Sequence, residues 1–246
     1  WTTRSMPAGI AGLRVAAASS PTNLVVMGGY GNIYSSSDAG VNWAYKTLGG
    51  TKTLKDVAWS DGIYVAVGMN GTIQTSPDGQ IWTLRDSGTA NDLNKVDYLG
   101  GKFIAVGKNG TILTSTDGID WVPQTSGTTL ELKGLAYGNG RYVVVGGDSS
   151  SNPVLLYSTD GGATWVNFST GLINRSFVSV AYGDGVFIAV MQYGQAYRYE
   201  VGTGTDEFIC TPISDLGGSG CYPTDIIYAG GKFAAVGGYG EVYLSS

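Results

Sequence analysis

The sequence predicts an all-β fold: a six-bladed β-propeller of four-stranded antiparallel blades, forming one domain over residues 1–246. Three observations predict it. One segment recurs six times along the chain; each copy is rich in Val, Ile and aromatics cut by glycine-containing turns; and a tryptophan marks the same place in most copies. Six copies of a 246-residue chain average about 41 residues each, enough for four short strands. The clearest copies open Leu54-Lys-Asp-Val-Ala-Trp-Ser-Asp-Gly-Ile-Tyr-Val-Ala-Val-Gly, Leu93-Asn-Lys-Val-Asp-Tyr-Leu-Gly-Gly-Lys-Phe-Ile-Ala-Val-Gly and Leu132-Lys-Gly-Leu-Ala-Tyr-Gly-Asn-Gly-Arg-Tyr-Val-Val-Val-Gly. Weaker ones begin at Leu13, Phe177 and Tyr222.

Within a copy the first two strands meet at turns such as Asp61-Gly62, and the second and third at turns such as Asn70-Gly71, both strong hairpin signals. The fourth strand begins at Trp43, Trp82, Trp121 and Trp165, and at Phe208 in the fifth copy. The sixth copy reaches only its third strand at Ser246, so Trp1 is expected to begin its fourth. An N-terminal strand completing the last blade closes the ring and covers sheet edges that would otherwise template aggregation. No stretch keeps apolar residues at helical spacing for three turns.

Composition narrows the function classes. With 43% hydrophobic and 11% aromatic residues the chain can bury a core, which excludes a disordered or fibrous protein. Forty glycines without a G-X-Y period indicate turns rather than collagen. The absence of histidine excludes His-based triads, imidazole bases and His-ligated metals, and neither a metal nor another cofactor is expected. A net charge of −5 argues against a nucleic-acid partner. No apolar run approaches the roughly 20 residues that span a bilayer, and no signal peptide precedes Trp1. The chain therefore reads as a mature soluble domain without membrane insertion.

Between the third strand and the tryptophan the chain reads Ser36-Ser-Asp38-Ala-Gly40-Val-Asn-Trp43 and Ser158-Thr-Asp160-Gly-Gly162-Ala-Thr-Trp165. Shorter versions are Ser76-Pro-Asp78-Gly79-Gln-Ile-Trp82 and Ser115-Thr-Asp117-Gly118-Ile-Asp-Trp121. These segments resemble the Asp-box, or BNR, repeat S-x-D-x-G-x-x-W of propellers such as sialidases, xyloglucan hydrolases and photosystem assembly factors. The resemblance spans nearly the whole chain and concerns architecture. It implies that Asp38, Asp78, Asp117 and Asp160 are structural, each bonding amides of its own turn while Gly takes a positive φ and Trp packs between blades. The fifth copy has lost the box, and the sixth ends before it.

The same resemblance supplies a test for sialidase chemistry: an arginine triad, a tyrosine paired with glutamate, and an acidic proton donor. The chain has six arginines and no Arg-Ile-Pro element; Arg4 is followed by Ser-Met-Pro and sits at the repeat position of Arg85. Another glycosidase would need two carboxylates facing each other across a cleft. Outside the boxes, Asp97 stands where Ala58, Ala136 and Ala181 occupy a small-residue site, and Tyr197-Arg198-Tyr199-Glu200 gathers reactive residue types on one strand. A solvated ion pair with Lys95 and a charged outer strand, respectively, explain both without catalysis, so no catalytic residue is assigned.

Candidate binding residues lie on the face carrying the turns between second and third strands. Copies two and three have Asn70-Gly71 and Asn109-Gly110 there, whereas copies one, five and six have Tyr30-Gly31, Tyr193-Gly194 and Tyr239-Gly240. In a closed ring of six these three copies are neighbours, so Tyr30, Tyr193 and Tyr239 are expected to form an exposed aromatic arc, suited to a sugar face or a protein partner. Arg14, Lys55 and Lys133, one residue into the first strand, are expected to line the channel mouth and attract an anionic group, or else to be solvated strand ends. Cys210 and Cys221 are the only cysteines; bridging so short a loop contributes about 3 kcal/mol and implies an oxidising compartment, although two free thiols fit the sequence as well.

Together these residues suggest a secreted, non-catalytic, lectin-like binding propeller recognising a glycan or a protein partner through the tyrosine arc. The alternative is a self-associating subunit of an extracellular surface layer or filament, and the third reading is a glycoside hydrolase.

Overall fold

The computed structural model of the chain describes residues 12–47, 53–148, 152–168, 170–172, 175–201, 208–213, 222–238 and 241–245, with only the backbone of 201 and 208–213. Among these residues the regular elements are β-strands and single turns of 3-10 helix. The first sheet holds β1 (Leu13–Ala18), β2 (Leu24–Gly28), β3 (Asn32–Ser36) and β4 (Ala44–Thr47). The second holds β5 (Leu54–Ser60), β6 (Ile63–Gly68), β7 (Ile73–Ser76) and β8 (Thr83–Arg85). The third holds β9 (Leu93–Leu99), β10 (Lys102–Gly107), β11 (Ile112–Ser115) and β12 (Val122–Gln124). The fourth holds β13 (Leu132–Gly138), β14 (Arg141–Gly147), β15 (Pro153–Ser158) and β16 (Val166–Phe168). The fifth holds β17 (Phe177–Gly183), β18 (Val186–Met191), β19 (Ala196–Val201) and β20 (Phe208–Ile213). Among the described residues the last has three strands, β21 (Pro223–Ala229), β22 (Lys232–Gly237) and β23 (Val242–Leu244).

Each sheet pairs antiparallel in chain order. Trp1 and Ser246, on which closure by the N-terminal strand depends, lie outside the described residues. The chain forms two compact units: residues 1–108 with 112–123, and residues 109–111 with 124–246. The first carries the first three sheets apart from the end of β12, and the second carries the other three.

A shared backbone device sits at the start of every sheet. The register slips by one residue between Leu54 and Asp56, Leu93 and Lys95, and Leu132 and Gly134, and at the matching place in the other three first strands. Such a bulge twists the strand and turns one extra residue out of the ladder. The glycine ending the second strand makes room for it: a Cβ on Gly68 would stand 2.3 Å from the Thr53 carbonyl oxygen, and one on Gly107 2.0 Å from that of Asp92. This close approach accounts for the Val-Gly that ends the repeat's second strand; the fifth sheet substitutes Met191.

The second strands form the core. Residues 64–67, 103–106 and 142–145 are buried without interruption, because both faces of these strands pack against other sheets or loops. In the first unit Val65, Val67 and Ile73 pack with Leu93, Val96 and Phe103; in the second, Val143, Val145 and Leu155 pack with Phe177, Val180 and Phe187. Fully burying such a side chain stabilises the fold by about 1.5–3 kcal/mol.

At the other end of the first hairpin, five sheets carry an aromatic cross-strand pair. Trp59 pairs with Tyr64, Tyr98 with Phe103, Tyr137 with Tyr142, Tyr182 with Phe187 and Tyr228 with Phe233. Their ring centroids are 4.3 to 4.8 Å apart. The first sheet has Ala18 opposite Leu24 at this register.

Candidate functional site

The turn joining second to third strand carries two residue types, Asn and Tyr, on one backbone. Asn70 (φ 54°), Asn109 (φ 53°), Tyr30 (φ 61°) and Tyr193 (φ 67°) all occupy the left-handed region. Asn enters that region readily because its short amide bonds locally; a bulky aromatic there is an outlier. Strain of this kind persists where the surroundings impose it and concentrates at functional surfaces. The result is exposure: Tyr30 is 68% and Tyr193 52% accessible.

Around Tyr193, within the second unit, two further side chains converge. The Tyr222 ring meets it edge-on at 5.5 Å between centroids, and the Arg175 guanidinium lies over it at 5.6 Å. Tyr222 is itself 44% exposed. The three make a platform of two rings and a cation. Sequence reasoning singled out Tyr193 but neither partner. The usable signal was positional, because Tyr222 precedes its first strand as Asp92 does in the third sheet, where Asp92 accepts the Asn70 amide. Tyr30 lies in the first unit, and among the described residues no ring or cation meets its ring. Tyr239 lies outside the described residues.

Arg14, Lys55 and Lys133 are the extra residues of their bulges, which turn them out of the ladder. Arg14 is exposed. Lys55 donates to Asp92 Oδ2 at 3.1 Å and Asn94 Oδ1 at 2.8 Å, tying the second sheet to the third. Lys133 donates to Ser176 Oγ at 2.8 Å, with Glu131 at 3.8 Å, and burial lowers its pKa. Both ammonium groups are engaged by the neighbouring sheet.

Asp92 is the hub of the first unit's turn face. It accepts the Asn70 amide at 2.9 Å and the ammonium groups of Lys55 and Lys108, and the amide bond above all lowers its pKa to about 2. Asp97, the residue that kept the hydrolase reading open, accepts from its own neighbour, the Tyr98 amide, at 2.8 Å. Close by is Asp56, which sequence reasoning passed over. It is 7% exposed, accepts the Val96 amide at 2.9 Å and faces Lys95 at 3.5 Å. Burial raises its pKa to about 6 against the pull of Lys95. That arrangement cross-links the first strands of two sheets, as Ser179 and Asp225 do at 2.6 Å in the second unit. In the other cluster, Arg198 pairs with Glu200 at 2.6 Å on one face while Tyr199 is fully buried on the other.

In the Asp-box turns the serine hydroxyl donates to the aspartate and accepts the glycine amide, and the indole N–H closes the turn on the glycine carbonyl. In the first sheet these distances are 2.8, 2.9 and 3.0 Å for Ser36, Asp38, Gly40 and Trp43. The long boxes use Asp38 and Asp160 to accept amides up to four residues on, from Asn42 and Thr164; the short boxes use Asp78 and Asp117 for amides two and three residues on. These amide bonds lower the pKa of Asp38 to about 2 and lower those of Asp78 and Asp117, and at Asp160 the Thr164 hydroxyl, donating at 2.6 Å, together with the Thr164 amide lowers it to about 2.

Of Cys210 only the backbone is described, and Cys221 lies outside the described residues. Among the described residues no group of three His, Cys, Asp or Glu side chains could hold a metal ion. No helix is long and apolar enough to cross a membrane.

Repeated four-stranded antiparallel sheets, Asp-box turns and exposed tyrosines at the strand-two-to-three turns define a repeat protein of the BNR propeller class. The family model described as Photosynthesis system II assembly factor YCF48 matches residues 6–199, and the chain belongs to that family. A structure described as YCF48 bound to D1 peptide superposes with a TM-score of 0.73 at 17% identity, covering 96% of this chain and 78% of that one. YCF48 from Cyanidioschyzon merolae gives a TM-score of 0.70 at 14% identity, covering 95% and 81%. A computationally designed protein, Ika8, gives 0.63 at 12%, covering 95% and 83%. At these identities the structural likeness speaks for the fold alone. A comparison with curated protein sequences found no match.

Family membership corrects three expectations. The secreted, lectin-like glycan-binding reading and the alternative of an extracellular surface-layer or filament subunit give way to a family of photosystem II assembly factors. The extracellular location, inferred from Cys210 and Cys221, falls with them. The physical reason is shared: exposed tyrosines and a pair of cysteines are chemistry common to many partners and compartments, and neither specifies a sugar or a secreted protein. Within the Asp-box group the resemblance resolves to its photosystem branch, a family of assembly factors.

Proposed function

We propose that this chain is a non-catalytic assembly factor that holds a segment of a protein partner, of the photosystem II type that its family serves, on the turn face of a single six-bladed ring over residues 1–246. One observation carries the partner reading: Tyr193 is held in the left-handed region with its ring exposed between Tyr222 and Arg175. Rigid aromatics with an adjacent guanidinium are the usual anchors of protein interfaces. A related protein has been seen bound to D1 peptide, which supports a peptide ligand. Tyr30 is the matching exposed anchor in the first unit.

Two features support six blades with closure by the N-terminus. The segment Trp1-Thr-Thr-Arg4 repeats Trp82-Thr-Leu-Arg85, the tryptophan and the three residues of β8. β23 also exposes Val242 at 64%, at the register of Ile73, which in the second sheet packs against Leu93 and Phe103 of the third, so a sheet following the sixth in a closed ring would cover it.

Calorimetry with the D1 peptide tests the reading. The unaltered chain binds it, and Tyr193→Asn, which keeps a residue suited to the left-handed turn, weakens binding at least about tenfold. Equal affinity in the variant, or no binding by the unaltered chain, would overturn it.

A further inference from the structure

The first sheet departs from the other five at one register position, and the departure opens a cavity. Where each of the others places an aromatic pair at the end of its first hairpin, β1 and β2 place Ala18 and Leu24. Elsewhere a ring of that pair approaches the Asp-box tryptophan of its own sheet: Tyr64 lies 6.2 Å from Trp82, and Tyr142 lies 6.5 Å from Trp165. Trp43 has no such ring beside it and instead borders a cleft of about 820 Å³ between the first and second sheets, within the first unit.

The walls of this cleft are preformed. Trp43 is fixed by its indole bond to Gly40. Trp59 packs on Tyr64 at 4.3 Å, and the Tyr64 hydroxyl accepts the Ser19 amide at 3.1 Å. The remaining lining is made of serine and amide side chains, the apolar Leu24, Ala44 and Pro77, and two carboxylates, Asp38 and Asp78, with no lysine or arginine among the described residues that border it. Both carboxylates are held below the usual range by amide bonds within their turns, so they stay anionic. At Asp78 the bonds from Ser76, Gln80 and Ile81 all fall on Oδ1, which leaves Oδ2 as the acceptor for a ligand.

We propose that this cleft, at the end of the first sheet opposite the Tyr30 turn, is a second binding site, which receives an arginine or lysine side chain from a basic peptide segment of a partner. The head group stacks on Trp43 and Trp59 and pairs with the Asp78 carboxylate, while the serine and amide groups take the peptide backbone. Aromatic walls attract a cation through the ring quadrupole, and a guanidinium in particular combines stacking with a carboxylate bond. Charge complementarity sets the sign of the ligand, because a carboxylate brought here meets two fixed anions and no cation among the described lining residues.

Tryptophan fluorescence titration with a synthetic Gly-Arg-Gly-Arg-Gly peptide tests the site. Its citrulline counterpart and tetramethylammonium serve as comparators. The arginine peptide binds, and replacing arginine by citrulline weakens binding at least about tenfold. Leu24→Tyr, which restores the aromatic found in the second and fourth sheets, fills the cleft and abolishes binding. Gln80→Lys, an exposed change on the rim, weakens it at least about tenfold by charge alone. Tyr193→Asn leaves this affinity unchanged, so failure here is separable from failure of the partner platform on the other unit. Equal binding of the citrulline peptide, binding unaffected by both variants, no binding by the unaltered chain, or tetramethylammonium bound as tightly as the peptide would each overturn the proposal.

Discussion

The Asn70 turn and the Tyr193 turn share a backbone and present opposite surfaces. In the first, the amide is held from behind by Asp92, itself clamped by Lys55 and Lys108, and the asparagine adds little to the surface chemistry. In the second, the residue that stands where Asp92 stands is Tyr222, and it meets the turn through its ring. The polar latch of one sheet has become the aromatic platform of another. The repeat thus supplies a rigid left-handed socket, and the side chain in it decides whether the turn serves the fold or a partner. Strain tolerated at Tyr30 and Tyr193, where asparagine would sit more easily, is the structural mark of the second use.

The largest effect that would break this comparison is at the glycine after the socket. A Cβ on Gly71 would stand 1.9 Å from the Thr89 carbonyl oxygen at a φ of +65°. Gly71→Ala is therefore expected to destabilise the fold by about 3 kcal/mol or more, read as a lowered urea midpoint, because a backbone atom and a left-handed φ must both yield. An unchanged midpoint would mean that the socket is not rigid.

The Asp92 latch gives the next effect. The Asp92 pKa is lowered to about 2 in the folded chain, against 3.8 for the free group. Its contribution is complete above pH 4 and is lost as pH falls toward 2. Hydrogen exchange at the Asn70 amide should lose protection over that range, whereas the Tyr193 amide, without this carboxylate, should not. Asp56 works with the opposite sign. Its pKa is raised to about 6, so the folded chain retains the proton more strongly and stability falls as pH rises from about 4 to 6. The difference in melting temperature between the native chain and Asp56→Asn should narrow over that interval and level off above it.

The smallest effect sharpens the comparison most directly. Tyr193→Asn and Tyr30→Asn should each stabilise the chain by about 0.5–1 kcal/mol, and Asn70→Tyr should destabilise it by a similar amount, measured by thermal unfolding. Stability and partner affinity would then move in opposite directions at Tyr193, the signature of a residue kept for binding.

Much of this was legible beforehand. Strand content, the repeat, the Asp-box serine, aspartate and tryptophan, and the sockets themselves follow from residues close together in the chain, because turns and hairpins are set by local dihedral preference and local hydrogen bonds. The exposure of Tyr30 and Tyr193 followed from the same logic. The glycan, the surface layer and the secreted location did not, since a tyrosine ring or a cysteine carries no record of its partner.

What the chain alone determined is therefore the repeat: four antiparallel strands joined by glycine-containing turns and an Asp-box. What only the tertiary structure decided is how neighbouring units use one another's spare groups. Packing sheets side by side buried Asp56 against Lys95, set Tyr222 and Arg175 against Tyr193, and left a cleft where Leu24 replaced an aromatic. Those outcomes depend on contacts between residues from about twenty to forty positions apart, whose distances no local preference fixes and only the assembly of strands into sheets and the packing of one sheet on the next bring within reach.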